Sequence, residues 1–537
     1  MLTWLFVNTT YYLLMAAVLC WVGTYLHHAR GMRRDTAVAW ARENWPGLAV
    51  AAAVTLAAGI AVEPALRVLS DETNLIGTSK NLFASKTATF TVSGKNYYGS
   101  FWDVDVAIDR RPTLFPFLVS LIHATFGYSY ENAFHLNLLV LPAFVLLAYR
   151  LAKSLGGETF GVVSALFVAA HPITLLAARS GGFDFLATFF GLFVIKSLVD
   201  QLREPSPGRL AVLWMNLCLF AEVRYETALF VPLVVVLLLR FRAVTRTLLR
   251  PYAFVYALSP VFLLPRVLQA ILRGNVPEQD PGTVTFSVEN FLNNAQEYFA
   301  PLLEPTKSHP FHSALLIALG VAGCATWLWR FTRLPRNERP VLEARVAACV
   351  AAWMLLQVVI VFTYVWGRAQ YPSAARLVIP IDTFFSFAAA GALTRALARF
   401  RAFVPVLLAG AVLVAEFPGP PQYRALNKLT QTRESATTWR FFERLGEKRI
   451  LIVTDRPNHF TIMDYGAMNF ETAKRDPYLF TALARRLFHD VYVIQQIALS
   501  TKEPLPGYAI WPDRKLETVH EFQNDANVLV RVSRLAR

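Results

Sequence analysis

The chain has 537 residues, of which 55% are hydrophobic and only 17% are charged. A soluble protein carries roughly a quarter charged residues, and the deficit here falls in residues 1–417, which contain long apolar runs. This pattern excludes an ordinary soluble chain and predicts a polytopic α-helical membrane protein.

The formal net charge of +15 raises the question of a nucleic-acid partner. The arginines, however, sit beside apolar runs, which is typical of membrane topology rather than of polyanion binding, so no nucleic acid is predicted. All four cysteines lie inside apolar runs, which is typical of inert core thiols and supports neither a disulfide framework nor a zinc site.

About twelve apolar runs approach the roughly 20 helical residues that cross a bilayer core. The first run has neither a basic start nor a small-residue cleavage site, which favours a retained helix over a signal peptide. The predicted spans are residues 4–26, 47–67, 132–151, 158–177, 182–199, 210–222, 226–240, 252–271, 313–331, 346–365, 374–394 and 402–417.

Basic connectors alternate with connectors that are poor in arginine, and the basic ones are expected to face the cytoplasm. Loop 68–131, loop 272–312 and segment 418–537 then share the extracytoplasmic side. We therefore expect a multi-pass protein, of the bacterial inner or plasma membrane, whose functional residues lie outside the cytoplasm.

The second run closes on the acidic pair Asp71-Glu72. A carboxylate near hydrocarbon is costly unless it has a partner or a function, although a solvated helix end is an equal alternative. Beyond the pair, the loop contains lysines that include Lys95, then Tyr97 and Tyr98, an acidic run, and Arg111 before a short apolar helix expected to lie along the interface.

Charged residues recur in the other turns assigned to the same side of the membrane. Asp184 follows a Gly-Gly pair, Arg224-Tyr225-Glu226 forms the next such turn, and Arg376 begins a late span. Guanidinium groups match phosphate bidentately, but arginines at a membrane boundary also act as anchors to headgroups. Asp184 is a candidate for binding an acceptor group or a divalent ion, or alternatively a helix cap.

Segment 418–537 begins with a proline-rich linker and reads as a small soluble α/β domain. Buried strands are expected at 449–454, 491–494 and 528–532, with a helix at 471–488. Asp455 follows the first strand, where open sheets often bind ligands, but no glycine-rich phosphate loop accompanies it. We therefore expect a structural or acceptor-docking role for this domain.

Taken together, these motifs resemble the GT-C class of membrane glycosyltransferases, which includes the aminoarabinose transferases and the protein O-mannosyltransferases. The resemblance covers residues 47–400 and departs from the family in the additional helix 4–26. It rests on Asp71-Glu72, the Arg111-Pro-x-Leu-x-Pro helix, His171-Pro172 through Asp184, Arg224-Tyr225-Glu226-Thr227 and Arg376-x-x-x-Pro380.

The resemblance implies a GT-C fold and transfer of a sugar from a polyprenyl-phosphate donor to an extracytoplasmic lipid, glycan or protein. In that reaction the resemblance implies that Asp71 is the base that accepts the proton of the acceptor hydroxyl. Glu72 and Asp184 are further catalytic candidates. The donor phosphate is assigned to Arg111, Arg224 and Arg376. The substrate-binding candidates are Lys95, Tyr97, Tyr98, Tyr225 and Glu226, although lysines here are also typical of solvated surface and tyrosines of interfacial belts.

No cofactor follows from the sequence, and a divalent metal ion stays open, with Asp71 and Asp184 as its candidate ligands. Two other functions also stay open. A transporter or flippase of lipid-linked substrates needs polar groups at mid-membrane depth, whereas the ionisable residues here gather at one face. A non-catalytic subunit of envelope assembly is disfavoured by the retention of Asp71, Asp184 and the boundary arginines.

Overall fold

The computed structural model describes residues 1–29, 34–97, 100–273, 284–304, 310–333, 341–426, 430–476, 479, 489–525 and 528–536. Short 3-10 turns occupy Glu226–Leu229, Arg250–Tyr252 and Ala375–Val378. The helices are α1 Leu2–Ala29, α2 Arg34–Glu43, α3 Trp45–Ala61, α4 Leu69–Ala84, α5 Leu114–Phe126, α6 Asn132–Gly156, α7 Glu158–Ala170, α8 Pro172–Ala177, α9 Asp184–Arg203, α10 Pro207–Ala221, α11 Phe230–Arg240, α12 Arg246–Leu249, α13 Ala253–Phe262, α14 Leu264–Arg273, α15 Val288–Leu303, α16 Ala314–Arg333, α17 Val341–Thr363, α18 Ile379–Ala396, α19 Phe403–Ala415, α20 Pro420–Leu426, α21 Thr430–Leu445, α22 Asn458–Thr461 and α23 Phe470–Arg475.

The chain divides into two compact units. The helical unit comprises residues 1–65, 111–115 and 134–423, and the sheet unit comprises residues 66–110, 116–133 and 424–537. This division differs from the boundary expected at 417/418, because most of the loop 68–131 belongs to the same compact unit as the C-terminal segment.

The helical unit is that of an integral, multi-pass membrane protein. Among the described residues, six helices are long and apolar enough to cross a membrane, or seven if the bent pair α19–α20 counts as one span. Each of the twelve predicted spans coincides with helix, but the count of twelve is not confirmed because several of these helices have 10–17 residues. The predicted span 158–177, for example, is broken between α7 and α8 at His171-Pro172, since proline favours the first turn of a new helix.

Small residues allow close packing of the helices in this unit. Against α18, a Cβ added to Gly323 of α16 would lie 2.2 Å from the carbonyl oxygen of Ala388, and one added to Gly320 would lie 2.7 Å from Phe385. In a membrane, where lipid is as apolar as leucine, association depends on such close contact between helices. The backbones of α16 and α18 are therefore held together by glycines that no larger residue can replace without a shift.

The sheet unit is built around one mixed sheet of seven strands. Their order across the sheet is β2-β1-β4-β3-β5-β7-β6, with β3 parallel to β4 and β5 and the remaining neighbours antiparallel. The strands are β1 Phe90–Tyr97, β2 Ser100–Ala107, β3 Ile450–Val453, β4 Gly466–Met468, β5 Asp490–Ala498, β6 Leu516–Asp525 and β7 Val528–Leu535.

The hairpin β1–β2 explains why the loop belongs to the sheet unit. Gly94 of β1 pairs with Ala467 of β4, so the hairpin extends the sheet formed by the C-terminal segment. The acidic run, whose role the sequence left open, lies on β2, where Asp103 and Asp105 alternate with Val104 and Val106. An alternation of polar and apolar residues with period two is typical of a strand, and this pattern could have indicated β2 from the sequence.

The strands expected at 449–454, 491–494 and 528–532 are found as β3, β5 and β7. The expected helix 471–488 is present only as α23 within the described residues, because residues 480–488 lie outside them. Loop 272–312 contains the expected helix as α15, while its proline-rich start, 274–283, and residues 305–309 also lie outside the described residues.

Candidate functional site

Three predicted site residues come together at one end of the helical unit. Asp184 is the first residue of α9, Arg224 follows the end of α10, and Arg376 lies in the 3-10 turn that precedes α18. Because α9 and α10 pack side by side and run in opposite directions, the start of one and the end of the other meet at the same end. Helix order therefore brings Asp184 and Arg224 together, and the ion pair with Asp184 shows that Arg376 lies in the same place.

Asp184 bridges both arginines. Its Oδ2 lies 2.9 Å from Nη1 of Arg376, and its Oδ1 accepts a hydrogen bond from Nη1 of Arg224. Nε of Arg224 lies 2.7 Å from Oε1 of Glu226. The side chains are 3% exposed for Asp184, 12% for Arg224, 13% for Arg376 and 16% for Glu226. Buried charges of this kind are tolerated only when they are paired, and this set is paired throughout.

The turn before Asp184 is fixed by buried polar side chains. Nδ2 of Asn137 donates to the carbonyl oxygens of Ser180 and Gly182, at 2.8 and 2.7 Å, and Nε of Arg179 donates to the Val62 carbonyl at 3.0 Å. The Asp184 side chain makes no N-cap hydrogen bond, because Phe183 is the N-cap residue. The alternative that Asp184 is the helix cap is thus not what the structure shows.

The turn that carries Arg224 is fixed by its own network. Thr227 Oγ1 donates to the carbonyl of Arg224 at 2.7 Å, and Nη2 of Arg266 donates to the carbonyl of Tyr225 at 3.3 Å. The backbone amide of Arg266 in turn donates to Oε1 of the buried Glu222 at 3.1 Å. The guanidinium of Arg224 is therefore presented from a rigid turn.

An apolar cavity opens from this charged cluster. Its polar part is lined by Asp184, Arg224, Glu226 and Arg376. The other lining residues are mainly apolar and come from α6, α7, α9, α10, α17 and α18, among them Leu155, Leu192, Phe220, Trp353, Met354 and Phe384.

The cavity runs along the helices rather than across them. On α9 its lining extends from Asp184 to Ile195, which is about 17 Å at 1.5 Å per residue. Such a depth is about half of a 30 Å bilayer core. One charged end and one long apolar wall suit a molecule with an anionic head and a hydrocarbon tail.

The acidic pair Asp71-Glu72 lies in the sheet unit, in the first turn of α4. Glu72 is 1% exposed, and its two carboxylate oxygens accept from the backbone amides of Arg67 and Val68, at 3.0 and 3.2 Å. These are amides at the start of a helix, which otherwise lack partners, so Glu72 acts as a helix cap. Asp71, in the same turn, is half-buried.

The remaining predicted substrate residues are more dispersed. Lys95 on β1 forms an ion pair with Asp476, and both side chains are about seven-eighths buried, which indicates a structural role in the sheet unit. Tyr97 packs against the core of that unit. Tyr225 lies beside Arg224 and contributes its backbone carbonyl to the turn. Tyr98 lies outside the described residues.

Arg111 belongs to the helical unit but not to the cavity lining. Its backbone carbonyl accepts from Nε2 of Gln269, and the Leu114 amide nearby donates to the Glu222 carbonyl. Of the three arginines predicted to bind the donor phosphate, Arg224 and Arg376 line this cavity.

Among the described residues, neither Asp71 nor Asp184, the predicted metal ligands, belongs to a cluster of three or more histidine, cysteine or carboxylate side chains with metal-ligand spacing. Within the described part of the chain, one set of histidine and carboxylate side chains has suitable spacing, and it consists of His171, His312 and Asp382. Sequence reasoning missed His312 and Asp382 altogether, because no local motif joins them. The apolar cavity lining was also missed, since its residues look like ordinary span residues.

Comparison with known proteins agrees with this architecture. Residues 110–268 match the family model described as dolichyl-phosphate-mannose-protein mannosyltransferase. A search of curated proteins by sequence finds no relative.

The fold is similar to that of ArnT from Cupriavidus metallidurans. The structure of ArnT bound to undecaprenyl phosphate has a TM-score of 0.53 and 15% identity, covering 90% of this chain and 97% of that one. The apo structure has the same TM-score with 14% identity, covering 93% and 98%. The oligosaccharyltransferase of Archaeoglobus fulgidus, tethered with an acceptor peptide, is more distant, with a TM-score of 0.47, 11% identity, and 85% and 70% coverage.

The chain therefore has a fold similar to that of ArnT, and residues 110–268 are similar to the protein mannosyltransferases. The resemblance seen in the sequence is thereby confirmed at the level of the fold.

Proposed function

We propose that this protein transfers a sugar from a polyprenyl-phosphate donor to an extracytoplasmic acceptor. The observation that carries the proposal is the pair Arg224 and Arg376 at the polar end of an apolar cavity within the helical unit. A polyprenyl phosphate has the same division, with a phosphate at one end and a long hydrocarbon tail.

The chemistry of transfer gives the arginines a purpose. When the sugar leaves its phosphate, negative charge develops on the phosphate oxygens, and fixed positive groups in a site with little water stabilise that charge strongly. Guanidinium is suited to this because its planar donors match phosphate oxygens in pairs. Arg224 and Arg376 are held for this purpose by Asp184, which we propose as a positioning residue rather than as a second acid.

The carboxylates also explain how the two arginines can stay buried next to one another when no phosphate is bound. Two buried guanidiniums would repel one another, and Asp184 and Glu226 compensate them. A phosphate that enters the cluster competes with these carboxylates for the same guanidiniums. Affinity for the donor then depends on how readily Glu226, the more exposed of the two, gives up Arg224.

The known proteins support the donor class. ArnT, which has the same fold, has been solved with undecaprenyl phosphate bound. The segment that matches the mannosyltransferase model includes Asp184 and Arg224. We propose that the sugar is a hexosyl or pentosyl group. The proposed acceptor is a lipid, glycan or protein of the cell envelope.

The finer points of the sequence interpretation belong to this proposal. We propose twelve spans, counting the short apolar helices, with the charged cluster and segment 418–537 on the extracytoplasmic side of a bacterial inner or plasma membrane. By the resemblance, Asp71 takes the acceptor proton. A divalent ion at Asp184 is not part of the proposal, because its carboxylate is engaged by two arginines.

Lipid binding tests the proposal directly. Full-length protein in nanodiscs is titrated with undecaprenyl phosphate, and bound lipid is counted by native mass spectrometry. Loss of one charged hydrogen bond costs about 1.5–3 kcal/mol, so Arg224→Gln and Arg376→Gln are each expected to weaken binding roughly 10- to 100-fold. Arg395→Gln is the matched control, since Arg395 is exposed in the last turn of α18, the helix that follows Arg376.

Transfer is then measured with a panel of polyprenyl-phosphate sugars and envelope extract as acceptor. Undiminished lipid binding by both cavity variants would overturn the phosphate site. If the protein moves lipid across vesicle membranes but transfers no sugar, it is a flippase rather than a glycosyltransferase. If it binds lipid but neither moves it nor transfers sugar, a non-catalytic subunit is favoured.

A further inference from the structure

A second buried polar group lies in the helical unit, apart from the residues that line the donor cavity. His171 stands between α7 and α8, His312 immediately precedes Ser313 and α16, and Asp382 is in the first turn of α18. All three side chains are at most 1% exposed. An ionisable residue inside a membrane protein is costly and usually has a function.

The hydrogen bonds of His312 define the chemistry of this group. Its Nε2 lies 3.2 Å from the carbonyl oxygen of Ala369, which can only accept, so Nε2 carries a proton. In neutral imidazole, Nδ1 then presents a lone pair, and Nδ1 lies 2.6 Å from Oδ2 of Asp382. At this distance the two atoms share a proton, and a metal ion bound by both would require them to separate to about 3.3 Å, given bonds of about 2.0 Å.

The position of His171 distinguishes between these two. Its Nδ1 lies 3.7 Å from Oδ1 of Asp382, so a second imidazole faces the same carboxylate. A shared proton needs only His312 and Asp382, whereas a metal ion takes at least three ligand atoms, and His171 can supply the third. Donor atoms on one tetrahedral zinc ion lie about 3.3 Å apart, given bonds of about 2.0 Å, and the three candidate atoms here lie within 4.8 Å of one another.

His171 also has an unsatisfied nitrogen. The Ser313 amide donates a hydrogen bond to its Nδ1 at 3.3 Å, and its fully buried Nε2 has no hydrogen-bond partner among the described residues. Burying a polar atom without a partner costs about 1–3 kcal/mol. His171 therefore keeps one ring nitrogen that no described residue satisfies.

The surroundings are those of a metal ligand set. Metal-binding histidines usually donate their other N–H to a carbonyl, as His312 does to Ala369, and ligating carboxylates are themselves hydrogen-bonded. Tyr298 of α15 supplies this second feature, since its hydroxyl donates to Oδ1 of Asp382 at 2.7 Å. Two imidazoles and one carboxylate are a ligand set for zinc or a similar divalent transition metal.

We propose that His171, His312 and Asp382 bind one divalent transition-metal ion of the zinc class. The ion joins the α7–α8 break, the segment before α16 and the start of α18, and α15 supports it through Tyr298. Its role is structural, because all three ligands are buried. Asp382 follows Arg376 by six residues, so the ion also anchors the segment that carries one of the cavity arginines.

Metal analysis of the whole protein tests this. The chain is purified with an affinity tag that contains no histidine, stripped with EDTA, loaded with Zn²⁺ and desalted. We expect about one zinc ion per chain by mass spectrometry and a higher unfolding temperature with zinc than without it. X-ray absorption at the zinc edge is expected to show nitrogen and oxygen donors, including imidazole.

Variants then locate the ion. His312→Gln and Asp382→Asn are expected to reduce bound zinc at least tenfold and to remove its effect on unfolding, whereas His123→Gln, at a buried histidine of the sheet unit, retains both. If a ligand variant does not fold, the wild-type absorption spectrum still decides the matter. Wild-type protein that retains no zinc and shows no thermal shift would overturn the proposal, as would sulfur donors in the spectrum.

Discussion

Asp184 and Arg376 form an ion pair, 2.9 Å between Oδ2 and Nη1, across the end of a helical bundle. The pair joins the first residue of α9 to the turn before α18, and Arg224 occupies the other oxygen of the same carboxylate. One carboxylate thus sets the distance between two guanidiniums. The geometry of the proposed phosphate site therefore depends on Asp184, although Asp184 is negatively charged like the phosphate itself.

Asp184→Asn is expected to impair donor binding although it removes a negative charge next to the phosphate. The amide of Asn cannot accept from both guanidiniums, so the arginines separate and lose their common geometry. We expect weaker binding of undecaprenyl phosphate, by roughly tenfold, measured by native mass spectrometry. If Asp184 only repelled the phosphate, the variant would instead bind more tightly, and that result would contradict a positioning role. Asp184→Glu, which keeps the charge, is expected to recover part of the affinity.

Asp71→Asn tests the assignment of the acceptor base. Removal of a general base lowers turnover by about 10²- to 10⁴-fold while leaving ground-state binding largely unchanged. We therefore expect loss of sugar transfer with undiminished binding of undecaprenyl phosphate. A variant with full transfer activity would refute the assignment.

Glu72→Gln is the matched comparison, because Glu72 is adjacent and of the same charge but caps α4. The substitution replaces one acceptor oxygen by an NH₂ group that faces a backbone N–H, at a cost of about 1–3 kcal/mol. The expected result is a lower unfolding temperature of the sheet unit, with transfer activity retained at low temperature. Loss of transfer activity without a lower unfolding temperature would show that Glu72 has a catalytic role rather than only a capping role.

How far the sequence could lead is shown by these same residues. The placement of Asp184, Arg224 and Arg376 at one end of the bundle followed from the alternation of spans. Because successive spans run in opposite directions, the turns that carry these residues all lie on the same side of the membrane. Their direct pairing did not follow, because it depends on side-chain rotamers. The role of Glu72 was missed for a similar reason, since a cap is defined by the backbone geometry of the helix start rather than by the residue type.

Long-range contacts account for the other differences. The pairing of Gly94 with Ala467 joins parts of the chain that are more than 300 residues apart, and no local pattern indicates it. Likewise, no local pattern joins His171, His312 and Asp382, which lie in three separate segments of the chain. A sequence read by segments assigns such residues to packing, and only the fold shows that they share a site.

The buried His459 predicts an acid-sensitive sheet unit. Burial, with a smaller contribution from Arg456, lowers the pKa of His459 to about 3, compared with 6.5 for an unperturbed histidine. Between these two values the unfolded chain binds a proton that the folded chain does not. The stabilisation is therefore fully present above about pH 6.5 and is lost as the pH falls toward 3. At pH 5 the loss amounts to about 2 kcal/mol, at 1.36 kcal/mol per pH unit.

Hydrogen exchange in the full-length protein measures this loss. Protection of the β3 amides, corrected for the intrinsic pH dependence of exchange, is expected to fall by about 2 kcal/mol between pH 7 and pH 5. His459→Gln is expected to flatten this dependence, because it removes the group that takes up the proton. His489→Gln, which removes an exposed histidine next to β5, is the control. Equal slopes in the wild type and in His459→Gln would show that His459 is not the source of the acid sensitivity.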